Sequence, residues 1–415
     1  MSDFCTSETA NEQERRYRWN QARQFMEQHG LDALLIFGSD RSDRYDAGQY
    51  LTYDRRYQHL VFPRDGEPVM IAFAAQVAAQ SMVAHERGHG GWVHDIRTGA
   101  VTQLGPEILR EKGLDKGKIG VIGAGWGGPF FRYGWVPKDA WLAVEAGLPN
   151  ATILPVTQEF GLVMAQKSKA DLAHLRRAAI AGDKAIEAMI KVAKPGVSEM
   201  EIYTAGFTAQ LELGMRVTWM MLQTGFENPS WGEPTWLVRG HQPRVLEDND
   251  IVGAEIFPNF AELNTHVNMS FTIGKVPEQT ELCRAAAKES FQIGMKMLRP
   301  GASFREVFEA MEAPTDRNGG WHLTPQIAAL NPLLGGGPSA HGIRTHVPEL
   351  ATRYPDVDGG EKMPFDYEIK PGMSFSLQPD CRLGRYWSLV GGVVAITETG
   401  AECYNTVSTE MNHID

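Results

Sequence analysis

The chain has 415 residues, of which 43% are hydrophobic and 22% charged, a composition typical of globular proteins and not of disordered or fibrous ones. The formal net charge is −11, and phosphate backbones and acidic lipids repel an acidic surface, so we expect no nucleic-acid or membrane partner. The length allows two or more domains with a sizeable core.

Targeting and redox signals are weak in this sequence. We predict no transmembrane helix because no run of about 18 apolar residues occurs. The polar N-terminal stretch "MSDFCTSETANEQERRYRW" lacks the apolar centre of a secretory signal. The cysteines are scattered without a Cys-x-x-Cys pair, and they are Cys5, Cys283, Cys381 and Cys403. We therefore expect reduced thiols and a cytoplasmic location.

The first 160 residues alternate helix and strand signals. "NEQERRYRWNQARQFMEQHG" predicts a helix that ends at Gly30, and "LDALLIFG" predicts a buried strand. "YQHLVFPRDGEPVMIAF" predicts a hairpin, and "KIGVIGAG" another strand. The following "GAGWGG" contains no basic residue, and "PFFRYGW" takes the place of the helix that should follow it, so we expect no nucleotide cofactor there. Residues 1–160 are predicted to form one α/β domain.

The remaining residues, 161–415, repeat one pattern twice. "KSKADLAHLRRAAIAGDKAIEAMIKVAKPGVSEMEI" and "AAAKESFQIGMKMLRPGASFREVFEAM" each predict a long helix, a Pro-Gly turn, a capping serine and an acidic helix. Strand pairs predicted at 250–274 and 373–398 occupy matching places in the two repeats. We therefore predict two similar α-plus-strand halves with helices outside and a site in the groove between them.

These segments carry a family resemblance. Together with "LEDNDIVGAEIFPNF", "SAHGIRTH", "IKPGMSFSLQPD" and "GGVVAITETGAE" they resemble, in order, the motifs of the creatinase/prolidase/methionine aminopeptidase family. The resemblance covers roughly residues 160–405. It implies an α+β fold class, with a pita-bread catalytic domain of duplicated half-barrels and outer helices after a smaller α/β domain. It also implies a homodimer in which the N-terminal domain reaches the partner's site, where Arg55 would contact substrate; a solvated loop is the alternative for Arg55.

Metal peptidases of this family hold two ions with two Asp, one His and two Glu. The resemblance places those positions on Glu255, His266, His346, Gln378 and Gly391. Two divalent ions need bridging carboxylates to offset their charge, and this set has a single carboxylate. We therefore predict no metal and no other cofactor, and no metallopeptidase activity. A single zinc ion on the acid and the two histidines is the alternative.

The metal-independent members creatinase and ectoine hydrolase are the nearest in pattern. The creatinase "TFP" and "HNP" resemble "IFP" at 256–258 and "HQP" at 241–243, which implies that His241 transfers the proton. The glutamate with which creatinase grips its cationic substrate falls on Asn268. Because a buried cation needs a paired charge, the resemblance implies a neutral or aromatic small molecule.

The expected site contains ionisable groups, amides and aromatic rings. We expect His241, Glu255 and His346 to be catalytic, because imidazoles titrate near neutral pH and a carboxylate on a buried strand is costly unless it is paired or functional. The expected substrate contacts are His266, Asn268, His341, Gln378, Trp219, Trp231 and Arg55. Tryptophans near the expected mouth, Trp387 among them, suit an apolar molecule. Packing in sheet or core is the open alternative for the amides and tryptophans.

Three functions follow as hypotheses. The first is metal-independent hydrolysis of a non-peptide C–N bond. The second is a metal-independent lyase that acts on a small aromatic alcohol, by elimination or by a retro-aldol cleavage that releases formaldehyde. The third is a non-catalytic binding module, which the retained histidines and Glu255 disfavour.

Overall fold

The computed structural model of the chain describes residues 8–38, 46–54, 59–88, 91–126, 134–217, 219–225, 232–331, 333–346, 348–353 and 366–415. Two compact units divide the chain. The N-terminal unit comprises residues 1–168 and 331–334, and the C-terminal unit comprises residues 169–330 and 335–415. Among the described residues, no helix is both long enough and apolar enough to cross a membrane.

The N-terminal unit is an α/β sheet domain. Its elements are α1 (Glu8–His29), β1 (Ala33–Ile36), α2 (Ala47–Thr52), β2 (His59–Pro63), β3 (Val69–Ala72), α3 (Ala75–Glu86), β4 (Asp95–Thr98), α4 (Val101–Glu111), β5 (Lys118–Ile122), α5 (Lys138–Gly147), β6 (Thr152–Pro155) and α6 (Thr157–Ala165). The six strands form one mixed sheet in the order β4-β3-β2-β1-β5-β6. As predicted, α1 ends before Gly30, whose φ of 63° suits glycine, and β2 and β3 form an antiparallel hairpin.

The C-terminal unit contains the duplicated pattern. Its first half has α7 (Lys169–Val192), α8 (Glu199–Glu212), β7 (Met220–Thr224), α9 (Thr235–Arg239), β8 (Ile251–Ile256), β9 (Asn259–Phe260), β10 (Leu263–Asn264) and β11 (Val267–Ile273). Its second half has α10 (Glu278–Met297), α11 (Phe304–Arg317), β12 (Ile327–Ala329), α12 (Ile343–His346), α13 (Pro348–Arg353), β13 (Ser374–Leu377), β14 (Asp380–Leu383), β15 (Tyr386–Leu389), β16 (Gly392–Ile396), β17 (Ala401–Cys403) and β18 (Asn412–Ile414).

Matching sheets and matching helix caps show the duplication. The strands form the sheets β18-β11-β8-β7 and β12-β13-β16-β17, with antiparallel pairing along β7-β8-β11 and β12-β13-β16. Ser198 and Ser303 cap α8 and α11 in the same way, each accepting a hydrogen bond from the backbone N–H three residues on. The two halves therefore repeat the same helix–helix–strand unit, as predicted.

Each sheet of the C-terminal unit has a helical face and a polar face. Val267 packs against Gly182 of α7, and Leu377 packs against Gly294 of α10. Because successive side chains of a strand point to opposite faces, the neighbouring Asn268 lies on the face away from α7. The polar side chains of the first sheet and the β14–β15 hairpin meet on that face, where Trp387 contacts Gly253.

Candidate active site

Glu255 lies in the middle of the first sheet's polar face. The strand register places it opposite Asn268 on one side and Met221 on the other. Directly opposite residues share a face, so these three side chains form one row. Glu255 is 5% exposed in an otherwise apolar strand, and a carboxylate buried in such surroundings needs a partner.

His266 is the partner that the structure brings to Glu255. Its Nδ1 lies 3.4 Å from Glu255 Oε1, and the exposed fractions of the two side chains are 18% and 6%. This separation is within the range of an ion pair when the ring is protonated. A carboxylate beside one ring nitrogen stabilises the protonated ring while the other nitrogen exchanges a proton. The pair can therefore act as an acid–base unit, although the sequence predicted His266 only as a substrate contact.

Two aromatic rings extend the site beside this pair. The Phe257 ring meets the His266 ring edge to face, with centroids 4.9 Å apart, and stacks on Trp219 at 4.5 Å and an interplanar angle of 12°. Phe257 is buried and Trp219 half-buried. This wall suits an apolar or aromatic group. Sequence reasoning matched Phe257 only as part of the "IFP" motif and missed its contact with the histidine.

Neutral amides occupy the other side of the row. Asn268 Nδ2 donates a hydrogen bond to Gln378 Oε1 at 3.1 Å, and both side chains are almost fully buried. Asn268 Oδ1 has no hydrogen-bond partner among the described residues. Gly391 lies against Asn268, because a Cβ built on Gly391 would be 2.9 Å from Asn268 Cβ.

This donor set does not fit the two-ion centre that the resemblance implies for metal peptidases. Glu255 is the one carboxylate among Glu255, His266, Gln378 and Gly391. Gln378 carries no charge, and its oxygen accepts a hydrogen bond from Asn268. Within the described ranges, no group of three or more His, Cys, Asp or Glu side chains is arranged to hold a metal ion. Without bridging carboxylates, the charge of two divalent ions would stay uncompensated.

Among the described residues, the other histidines predicted for the site form no hydrogen bond or ion pair with Glu255 or His266. His241 and His346 are exposed, and neither ring forms a hydrogen bond or ion pair with the part of the chain that the structure describes. His341 lies 3.0 Å (Nε2 to Oδ1) from Asp316, and its ring stacks on His322. Trp231 and Arg55, predicted as substrate contacts, lie outside the described residues.

His322 is a buried acid–base group that the sequence did not reveal. Its Nδ1 donates to the Thr324 carbonyl at 2.7 Å, and its Nε2 lies 2.5 Å from Glu312 Oε2. Burial disfavours the charged ring, but the hydrogen bond and charge of Glu312 outweigh it and raise the pKa of His322. The isolated histidine in "GGWHLTPQ" gives no signal for this pairing, because Glu312 comes from α11 and shares no motif with it.

A cavity of the C-terminal unit lies at the opposite end of β8. It has a volume of about 730 Å³ and opens beside Asp250, five residues and roughly 17 Å along the strand from Glu255. Its charged lining consists of Glu199, Glu233, Glu247, Asp248, Asp250, Arg244 and Arg385. Arg244 forms two hydrogen bonds with Asp250, of 2.5 and 2.9 Å. The excess of carboxylates favours cations, in contrast to the amide-lined surroundings of Glu255.

Known proteins match this chain over most of its length. The creatinase of Bacillus sp. (strain B-0618) is 22% identical over 410 residues, which are 95% of this chain and 91% of the relative. Two solved structures share the fold: the X-Pro aminopeptidase of Thermotoga maritima, with a TM-score of 0.72 and 12% identity over 95% of this chain and 99% of its own, and the dipeptidase PepE of Mycobacterium ulcerans, with a TM-score of 0.71 and 19% identity over 97% and 98%.

The family assignment rests on a match to more than half of the chain. Residues 173–407 match the model of metallopeptidase family M24, a range that contains Glu255, His266 and Gln378. The expected family and the expected α+β pita-bread fold with a smaller N-terminal domain are thereby confirmed. The chain belongs to metallopeptidase family M24.

Proposed function

We propose that this chain is a creatinase-like, metal-independent enzyme that hydrolyses a non-peptide C–N bond of a small neutral or aromatic molecule. The contact between Glu255 and His266 carries the proposal. This acid–base pair is flanked by an aromatic wall and by amides instead of further carboxylates. The similarity to creatinase over 95% of the chain supports a small-molecule enzyme over a binding module.

Each side chain of the candidate site has a role in the proposed reaction. The His266 ring would take a proton from the attacking water and return it to the leaving nitrogen, while the nearby Glu255 carboxylate stabilises the imidazolium. Asn268 and Gln378 would orient polar groups without adding charge. Trp219 and Phe257 would cover the apolar part of the substrate. His241, to which the resemblance assigns proton transfer, is the alternative to His266.

A lyase is the second candidate, and the Trp219–Phe257 stack is the observation that favours it. Cleavage of a C–C or C–O bond in an aromatic alcohol needs a base, an acid and an oriented hydroxyl, but no activated water. In a retro-aldol cleavage the Glu255–His266 pair would remove the hydroxyl proton and protonate the departing carbon. In an elimination it would remove a proton from the carbon next to the C–O bond and protonate the departing oxygen. The two reactions differ in product, since hydrolysis releases an amine or ammonia and retro-aldol cleavage releases formaldehyde.

The test is a product screen with matched variants. The purified chain is offered small ureas, amides and aromatic alcohols, and released amine, ammonia and formaldehyde are measured. We expect Glu255→Gln and His266→Gln each to lower turnover about 100-fold or more, with an unchanged melting temperature. His94→Ala, at an exposed histidine of the N-terminal unit, should keep full activity.

Two further outcomes decide between the alternatives. If His241→Ala abolishes turnover and His266→Gln does not, the proton transfer belongs to His241. If activity requires two equivalents of metal per chain and disappears after chelation, the metal-independent proposal is wrong. The homodimer and the cytoplasmic location stay predictions, and light scattering of the purified chain tests the former.

A further inference from the structure

Asn268 contacts two residues at positions where the family resemblance implies metal ligands, Gln378 and Gly391. The pairing of Leu377 with Gly392 places Gln378 across from Gly391. Asn268, from the sheet of the first half, reaches both of them: its amide donates to Gln378, and its backbone and Cβ lie against Gly391. Asn268 is buried there, at 1% exposure.

Gly391 has no room for any side chain. A Cβ built there would lie 2.8 Å from the Leu377 carbonyl oxygen, 2.9 Å from Asn268 Cβ and 3.0 Å from the Asn268 carbonyl oxygen. Real Cβ contacts essentially never fall below 3.0 Å, and two of these three atoms belong to the backbone. The φ of Gly391 is not in the left-handed region, so crowding and not backbone conformation requires glycine.

The backbone of Gly391 is also held on both sides. Its N–H donates to the Ser408 carbonyl at 3.2 Å, and its carbonyl accepts a hydrogen bond from Ser408 Oγ at 2.6 Å. Moving this residue away from Asn268 would break two buried hydrogen bonds. The strand therefore cannot shift at low cost to admit a larger residue.

We propose that Asn268 is a plug: it closes the position where metal-dependent relatives converge their ligands, and it replaces them with a neutral hydrogen bond between the two halves. Two neighbouring hydrogen bonds between the halves are also formed by neutral groups. Ser376 Oγ donates to the His266 carbonyl at 2.9 Å, and Ser270 Oγ donates to the Leu389 carbonyl at 2.7 Å. The chain has thus lost the space for a metal centre as well as its charge. The inference rests on the metal-independent part of the proposed function.

The first test compares two glycines. Gly391→Ala should lower the melting temperature by about 5 °C or more, since overpacking a held backbone is destabilising. Gly232→Ala is the matched control, because a Cβ there meets nothing within 4 Å and its φ is also outside the left-handed region. Equal melting temperatures for the two variants would contradict the proposal that Asn268 closes this position.

The second test restores carboxylates. The triple variant His266→Asp, Gln378→Glu, Gly391→Glu is dialysed against Mn²⁺, and its metal content and melting temperature are measured. We expect no stoichiometric Mn²⁺ and a lower melting temperature than that of the parent. Two equivalents of Mn²⁺ at an unchanged melting temperature would overturn the inference. If the triple variant fails to fold, the two glycine variants still decide. Metal required by the parent chain would instead count against the proposed function, whatever the glycines show.

Discussion

At the scale of single residues, His59 makes the N-terminal unit sensitive to acid. Its Nδ1 accepts a hydrogen bond from the Gly38 N–H at 3.1 Å, which requires an unprotonated nitrogen, and burial lowers the pKa of His59 to about 4. Above the ordinary histidine pKa, near 6.5, the ring is neutral in both the folded and the unfolded chain. Between about 6.5 and about 4 only the unfolded chain takes up the proton, so stability falls with falling pH.

We predict that proton uptake by His59 in the unfolded chain lowers the free energy of unfolding by roughly 2–3 kcal/mol between pH 7 and pH 4. Denaturant unfolding at a series of pH values measures this loss. His59→Gln is the control, since a glutamine oxygen can accept the same hydrogen bond without titrating. The difference between parent and variant should grow as the pH falls. A constant difference over this interval would show that His59 does not titrate on unfolding.

The sequence alone does not show which histidine lies beside Glu255, because that depends on how the strands pair. Glu255 could be predicted as unusual, because it is a carboxylate in an apolar strand. Its pairing with His266 follows from the register of β8 and β11, set by the ten residues between them. The motifs favoured His241 for proton transfer and also placed His346 among the catalytic residues, and the structure exposes both. Their catalytic roles stay predictions.

At the scale of secondary structure, α8 and α11 begin with equivalent serine N-caps. Ser198 and the side chain of Glu201 form a reciprocal capping box at the start of α8. Ser303 accepts from the Glu306 N–H at 3.2 Å and donates to Asp366 at 2.5 Å. We predict that Ser198→Ala and Ser303→Ala each lower the free energy of unfolding by about 1 kcal/mol.

Chemical denaturation of the alanine variants measures these losses, and Ser198→Asn is the control that keeps a capping oxygen. The asparagine variant should stay within a few tenths of a kcal/mol of the parent. If alanine and asparagine are equally stable at position 198, the cap does not contribute. The sequence predicted both caps because serine, Pro-Gly and acidic residues have fixed spacings at helix starts.

Strand partners and aromatic positions were harder to predict than helices. Trp387 was expected near the mouth of the site, but it is 1% exposed, packs on Gly253 and donates from Nε1 to the Gly225 carbonyl. A tryptophan in an alternating strand pattern does not reveal which face is covered, because that depends on the hairpin that folds over it. Trp387 packs in a buried cluster with Ile251 and Leu389.

At the scale of the whole molecule, one short segment packs with residues that are distant from it in the sequence. Residues 331–334 belong to the N-terminal unit, although the chain on both sides belongs to the C-terminal unit. Asn331 Nδ2 donates to the Gly161 carbonyl at 2.6 Å, and Leu333 and Leu334 are 3% and 1% exposed. Composition predicted a domain boundary near residue 160, but it has no signal for an excursion of four residues.

We predict that the fragment 169–415 is less stable and less soluble than the full chain. Without residues 1–168, Leu333 and Leu334 lose the helix α6 surface at Gly161 that buries them, and each exposed leucine forfeits about 1.5–3 kcal/mol of burial. Size-exclusion chromatography and thermal unfolding of the fragment measure the effect.

The same fragment with Leu333→Asn and Leu334→Asn should recover solubility, because it no longer exposes an apolar pair. A parent fragment that is monodisperse and melts at the temperature of the full chain would show that the C-terminal unit does not need this burial. Recovery by the double variant would instead assign the defect to these two side chains and not to the missing domain as a whole.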